Sequence, residues 1–412
     1  MSELLFITHE YPQESGDSSF IKTEILFLSK VFNKIHILCS NEFDKNKRLL
    51  FSPQNVVIYY KKRKAPLFFH YLTFFNVLLF PIFYKELNFL FKSNNFKFKT
   101  LIQSVRFLHN AILFKKNIKN IISYNRKICL IYTYWYVHET LSSLLFSKKN
   151  YIPCITRTHR YDLYKIVNNY QPYKIWMDQN ITKIFFISQH GYNYYINEFV
   201  HSNSSKYSIS YLGIINNYKI KTNINQSNYF MLCSCSRIIP IKRINLIIDA
   251  LNNIDKIKIH WIHIGDGYEI DSIKTYANSL LNSKDNISFE FKGFISNEKV
   301  LEFYNENFID CFISTSESEG LPVSMMEAIS FGIPIIATNV CGVSELVNSN
   351  IGILLDSNCS TYDISNAIIN YYNLSIEEKK KMRYSSRKLW EQSFNAEINY
   401  KSFSDELKLF IN

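Results

Sequence analysis

Two glutamates, Glu319 and Glu327, stand eight positions apart in SESEGLPVSMMEAISFGIP, residues 316–334. The apolar run DCFISTS before them reads as a strand, Gly320 permits a tight turn, and Pro322 suits the start of a helix. A helix beginning there offers amides that lack intrahelical acceptors, a natural place for an anion. Those amides can hold a phosphate, which leaves the two carboxylates to accept hydrogen bonds from hydroxyls. Viewed alone, the same glutamates are equally well explained as helix-end carboxylates paired with the helix dipole.

Three other stretches carry groups suited to the same chemistry. CSRIIPIKR puts Arg237 and Lys242 after one strand and before a helix. Two cations there can neutralise a diphosphate and the charge that grows on it as it departs. IGDGYE is a strand-turn-helix passage with Gly265 and Gly267, and TRTHRYDLYK sets His159, Arg160 and Asp162 at a further strand end. Solvated loop cations and a hydrogen-bonded strand-end histidine are the plain alternatives.

Positioning such groups requires parallel sheets, and the chain is patterned for them. β-Branched runs predict strands at 3–9, 34–40, 56–61, 128–135, 152–159, 183–188 and 208–212. After the polar stretch NNYKIKTNINQSN the rhythm restarts, with strands at 229–236, 256–265, 287–293, 310–316, 334–338 and 352–355. Helical patterns fill the gaps. This predicts an α/β chain with two Rossmann-like, doubly wound parallel-sheet domains facing each other across a cleft. The first spans 1–215, a linker 216–228, the second 229–385, and a C-terminal helix over 386–412 packs back toward the first.

Composition narrows the classes. The 412 residues are 47% hydrophobic, enough for full cores, and no basic-then-apolar leader pattern opens the sequence. The eight cysteines lack paired ligand spacing, so no metal site is read from them. Within a net charge of +12, residues 51–150 hold 16 Lys/Arg against 2 Asp/Glu. That stretch includes twenty uncharged residues, 65–84, broken by Pro66, His70, Asn76 and Pro81. Basic residues flanking aromatics suit an anionic membrane surface, whereas no nucleic-acid-binding pattern is present. An interfacial segment and ordinary core packing are both open for 65–84, ahead of a membrane span.

Taken together, 229–347 resembles the donor domain of glycosyltransferase family 4, which has the GT-B architecture. SRIIPIKR, GDG, FKGF at 291–294, EGLPVSMME and AISFGIPIIATNVCGVSEL carry the resemblance. It implies that Arg237 and Lys242 hold a donor diphosphate beside the amides of Gly320, Leu321 and Val323. It also implies that Glu327, with Gly265 and Gly267, binds the nucleoside and that Glu319 lies at the donor sugar. The first half is similar more loosely: TRTHRYDLYK matches a His-centred motif of bacterial exopolysaccharide transferases. By that likeness His159 touches the donor sugar, with Gly16, Arg160 and Asp162 on the acceptor side. A double-glycine turn common in the family after its first strand is reduced here to Gly16.

The implied activity is retaining transfer of a hexosyl group from a nucleotide-diphosphate sugar, such as a UDP-sugar, to a lipid-linked or oligosaccharide acceptor. Capsule, O-antigen (lipopolysaccharide) and exopolysaccharide synthesis, at the inner face of the cytoplasmic membrane, are the settings it points to. No Asp-x-Asp occurs in the chain, so metal independence and no cofactor are expected. A sugar-nucleotide epimerase and a non-catalytic subunit of a glycan assembly complex are the competing readings.

Overall fold

A computed structural model describes residues 2–14, 18–61, 76–165, 170–200, 204–220 and 228–411. The chain forms two compact units, Met1–Ser210 with Tyr400–Asn412, and Tyr211–Asn399.

The first unit is built on a seven-stranded sheet. Its strands are β1 Glu3–Thr8, β2 Lys34–Cys39, β3 Val56–Tyr60, β4 Ile128–Thr133, β5 Cys154–Thr158, β6 Lys183–Phe186 and β7 Tyr207–Ile209. Their order is β3-β2-β1-β4-β5-β6-β7, and every neighbouring pair is parallel. Runs such as ELLFIT are buried on both faces, as parallel strands between helical layers must be. Those layers are α1 Ser18–Val31, α2 Pro81–Lys92, α3 Phe98–Tyr124, α4 His138–Asn150, α5 Arg160–Leu163, α6 Lys174–Asn180 and α7 Gln189–Tyr195. In α1, Ile21, Ile25 and Leu28 recur at helical spacing and are fully buried, each contributing roughly 1.5–3 kcal/mol.

The second unit repeats the plan with six strands. These are β8 Phe230–Cys235, β9 Ile259–Ile264, β10 Ile287–Gly293, β11 Cys311–Ser314, β12 Ile335–Thr338 and β13 Gly352–Leu355, ordered β10-β9-β8-β11-β12-β13. All are parallel. Its helices are α8 Ile244–Asn252, α9 Ile270–Leu281, α10 Asn297–Glu306, α11 Val323–Ser330, α12 Thr361–Asn373 and α13 Ile376–Leu389. Trp261 anchors the core, fully buried, with its Nε1 donating to Ser234 Oγ at 2.9 Å. A last helix, α14 Ala396–Leu407, carries Phe403 and Leu407, which are buried in the core of the first unit.

Both sheets reverse strand order next to their first strand, between β1 and β4 and between β8 and β11. Ligands of open α/β sheets bind outside the carboxyl ends of the strands at such switch points. The strands expected from the sequence all occur, their ends shifted by at most three residues. The uncharged run 65–84 is described only from Asn76 onward. Residues 65–75 lie outside the described residues, and α2 begins at Pro81, where a missing amide proton costs nothing. Among the described residues, no helix is long and apolar enough to cross a membrane.

Candidate functional site

At the switch point of the second unit, two loops are tied together by charge. The loop after β8 turns through Pro240–Lys242 and reaches Arg243 in a left-handed conformation, φ 48° and ψ 44°. Such a backbone costs a non-glycine residue on the order of 1–2 kcal/mol. It is offset by the guanidinium, which donates to the carbonyls of Thr315, Ser316 and Ser357 at 2.6–3.3 Å. Thr315 Oγ1 answers by donating to the carbonyl of Arg243 at 2.9 Å. Arg243 therefore pins the end of β11, a role its neighbour in SRIIPIKR does not share.

Lys242 points the other way. Its Nζ donates to Glu319 Oε1, which also accepts from Ser316 Oγ at 2.6 Å. Glu319 is 8% exposed. Sequence reasoning named both residues, and the structure brings them into direct contact. Arg237 is exposed and pairs with no carboxylate among the described residues. Its loop is pressed against the turn after β9: a Cβ at Gly265 would meet Ser236 O at 1.9 Å, and one at Gly267 would meet Ile238 O at 2.1 Å. These glycines let two backbones touch on either side of Arg237.

Helix α11 starts at Val323, directly after Pro322 and behind buried Gly320 and Leu321. Met325 N and Met326 N fold back on Pro322 O, while the amides at the very start of the helix lie beyond the reach of the helical ladder. Glu327, on the second turn, is 2% exposed and accepts from Asn297 Nδ2 at 2.8 Å. Asn297 is a contact that sequence reasoning missed; its signal was its place at the start of α10, directly after the cap residue Ser296.

The strand ends of the first unit hold a different construction. His159 is buried between Tyr134 and Trp135, ring centroids 4.6 and 4.4 Å away, and Trp135 stacks on His9 at 5.3 Å. Three strand ends thus share one column of rings. Asp162 fixes it: its oxygens accept from His159 N at 2.6 Å and Tyr136 N at 2.7 Å. The fully buried Lys174 donates to the carbonyls of Asp162 and Tyr136 at 2.6 and 2.8 Å. Burial lowers its pKa to about 7 despite the nearby Asp162 charge. Asp162 is therefore a loop staple, with Arg160 half-buried beside it, and Gly16 lies outside the described residues.

Residues the sequence did not single out complete this end of the unit. Glu139, at the start of α4, lies 3.2 Å from His138 Nδ1 and 3.7 Å from His9 Nε2. Burial raises its pKa, but the two imidazoles and a Ser40 hydrogen bond outweigh that and hold the carboxyl below its usual range. The dipeptide His138–Glu139 at a helix start was the readable signal. Elsewhere, His263 bonds Ser234 Oγ at 2.8 Å and Ser236 O at 3.2 Å, and burial drops its pKa to about 4. Among the described residues, no group of three His, Cys, Asp or Glu is placed to hold a metal.

Comparison with known proteins bears on the family and the fold. Residues 216–389 match the family described as glycosyl transferases group 1. The O-antigen biosynthesis glycosyltransferase WbnH of Escherichia coli is 28% identical over 133 residues, 32% of this chain and 35% of that protein. The E. coli O-antigen biosynthesis glycosyltransferase WclY is 26% identical over 214 residues, 50% of this chain and 54% of its own. The alignments thus span about a third to a half of these curated relatives. The crystal structure of Anabaena HepE in complex with UDP and glucose superposes with a TM-score of 0.62 at 14% identity, covering 99% of each chain. By sequence the second half is similar to group 1 glycosyltransferases, and by fold the two parallel sheets have the GT-B architecture.

Proposed function

We propose that the protein is a retaining glycosyltransferase that moves a sugar from a nucleotide-diphosphate sugar to a lipid-linked glycan of O-antigen or related cell-surface type. The observation that carries this reading is the meeting of Lys242 with Glu319 at the β8–β11 switch point, with exposed Arg237 on the same loop. A donor diphosphate takes the place of Glu319 as partner of Lys242 and draws in Arg237. Glu319, released, accepts hydrogen bonds from the donor sugar, and Glu327 from the ribose. As the sugar–phosphate bond breaks, the two cations and the amides before α11 stabilise the charge on the leaving diphosphate. The acceptor hydroxyl attacks from the face the diphosphate leaves, and its proton passes to the departing phosphate oxygen.

Release of UDP from a panel of UDP-sugars tests the assignment. Glu319→Ala and Lys242→Ala should each lower turnover by about 100-fold or more while circular dichroism is unchanged; near-normal turnover in both would sink it. Because cations of the chain carry the diphosphate, EDTA should leave turnover unaltered. Inactivation by EDTA with recovery on Mg²⁺ would overturn metal independence.

Membrane association belongs to the same proposal. Around α2 and the start of α3, Leu79, Phe91 and Phe98 are more than half exposed, among the exposed Lys85, Lys92, Lys97 and Lys99. Each such lysine contributes about 1 kcal/mol near an anionic lipid surface. Flotation with phosphatidylglycerol vesicles should exceed that with phosphatidylcholine vesicles, and equal recovery would count against it.

A further inference from the structure

The first unit contains a cleft of about 310 Å³ beside the His159 staple that no part of the donor reading uses. Helix α3 lines it with Gln103, Arg106, Phe107 and Asn110, spaced three, four and seven residues apart on one stripe. The buried stripe of α3 is separate, running through Ser104, Leu108, Ala111 and Phe114. On the cleft stripe Phe107 packs against Tyr173 and His138, ring centroids 5.9 and 6.0 Å away, while Gln103, Arg106 and Asn110 line the cleft.

Two observations identify what the cleft takes. Both amide atoms of Gln171, on the opposite wall, are buried and have no hydrogen-bond partner among the described residues. Leaving such a group unmade costs on the order of 1–3 kcal/mol, so a ligand hydroxyl that meets it is favoured. Arg106 pairs with no carboxylate among the described residues. The acidic group in the lining, Asp162, has both oxygens on backbone amides and Lys174 next to it. Phe107 and Tyr161 supply flat apolar walls for a sugar ring.

We propose that this cleft binds an anionic saccharide, a sugar bearing a phosphate or carboxylate, with Arg106 on the anion and Gln103, Asn110 and Gln171 on ring hydroxyls. As an acceptor subsite it rests on the glycosyltransferase reading; as a binding site it stands on the first unit by itself.

Calorimetric titration of the full chain, with excess UDP present, tests it using glucose 1-phosphate, glucuronate and glucose. At least one anionic sugar should bind about tenfold or more tightly than glucose, and which of the two does so identifies the anion. Arg106→Gln should remove that preference and leave UDP affinity unchanged. Gln171→Leu should weaken glucose 1-phosphate several-fold but not inorganic phosphate. Equal affinity for glucose and both anionic sugars, or no binding of either anionic sugar, overturns the proposal. So does loss of glucose 1-phosphate binding in Lys242→Gln with none in Arg106→Gln, which would put the ligand at the donor loop. If UDP itself fails to bind, the donor reading falls, and the Arg106→Gln comparison still decides the cleft.

Discussion

Two arginines, one in each unit, stand near the carboxyl ends of strands and do opposite things. Arg157, in β5, is fully buried: its Nη2 lies 3.4 Å from Glu24, Nε donates to Tyr132 OH at 3.0 Å, and Nη1 to Ser210 O at 2.9 Å. Its guanidinium covers the ring of Phe403 at 4.3 Å, fastening the C-terminal helix to the sheet. Arg237, just after β8, is exposed and pairs with no carboxylate among the described residues. The first unit uses buried charge to hold its strand-end loops in shape. The second ties its loops through Arg243 and backbone carbonyls, and leaves Arg237 at the surface, where the proposed function gives it a diphosphate. Burial alone thus separates the structural staple Arg157 from Arg237, the cation that the proposed function assigns to a ligand.

The sharpest break of that comparison is a pair of truncations. Arg157→Leu leaves Glu24 buried without its partner and should cost about 3–5 kcal/mol in urea unfolding. Arg237→Leu should change stability by no more than about 0.5 kcal/mol while weakening UDP binding. A mild Arg157 variant or a destabilised Arg237 variant would erase the distinction.

Asp162→Ala comes next. It orphans the amides of His159 and Tyr136 and should lower stability by about 2–3 kcal/mol. UDP affinity, which the proposed function places in the other unit, should hold. A fall in UDP affinity equal to that in Lys242→Ala would show that the staple serves the donor loop.

The smallest effect is read in pH. Burial raises Glu86 to about 7, against lowering by hydrogen bonds from Tyr170 OH and Tyr173 N. Folded, it holds its proton more tightly than unfolded, so its contribution is full below about pH 4.5 and is lost as pH rises through about 7. Lys174 runs the other way: its contribution is full above about pH 10.5 and is lost as pH falls through about 7. Together the two contributions are smallest near pH 7. Glu86→Gln should flatten the acid limb and Lys174→Met the alkaline limb, each removing a slope of up to about 1.4 kcal/mol per pH unit. Unchanged slopes in urea midpoints would place these groups outside the folding equilibrium.

Each of the two loops at the β8–β11 switch point was legible because its own chemistry is local, whereas their meeting through Lys242 and Glu319, 77 positions apart, was not. Glu319, Gly320 and Pro322 lie within four positions, and Arg237 and Lys242 within six, so a strand-to-turn transition in the sequence places them together. The strands were legible for the same reason, as short apolar runs that two helical layers must cover. The first unit was not. The Asp162–Tyr136–Lys174 staple joins three segments 12 to 38 residues apart, and no periodicity marks it. Asp162 was read as a group facing the acceptor, and its identity alone hid the two amides that occupy its oxygens. The start of α2 was hidden within an uncharged run, although Pro81 was the signal for it.

Thermal denaturation with a panel of nucleotide-diphosphate sugars tests the central claim most directly, because a ligand of the folded chain stabilises it by mass action. At a hundred times its dissociation constant, the true donor should add about 2.7 kcal/mol to the wild-type chain. That gain should vanish in Lys242→Gln and persist in Arg106→Gln. A panel that stabilises neither the wild type nor Arg106→Gln, or stabilises Lys242→Gln equally, would contradict the account.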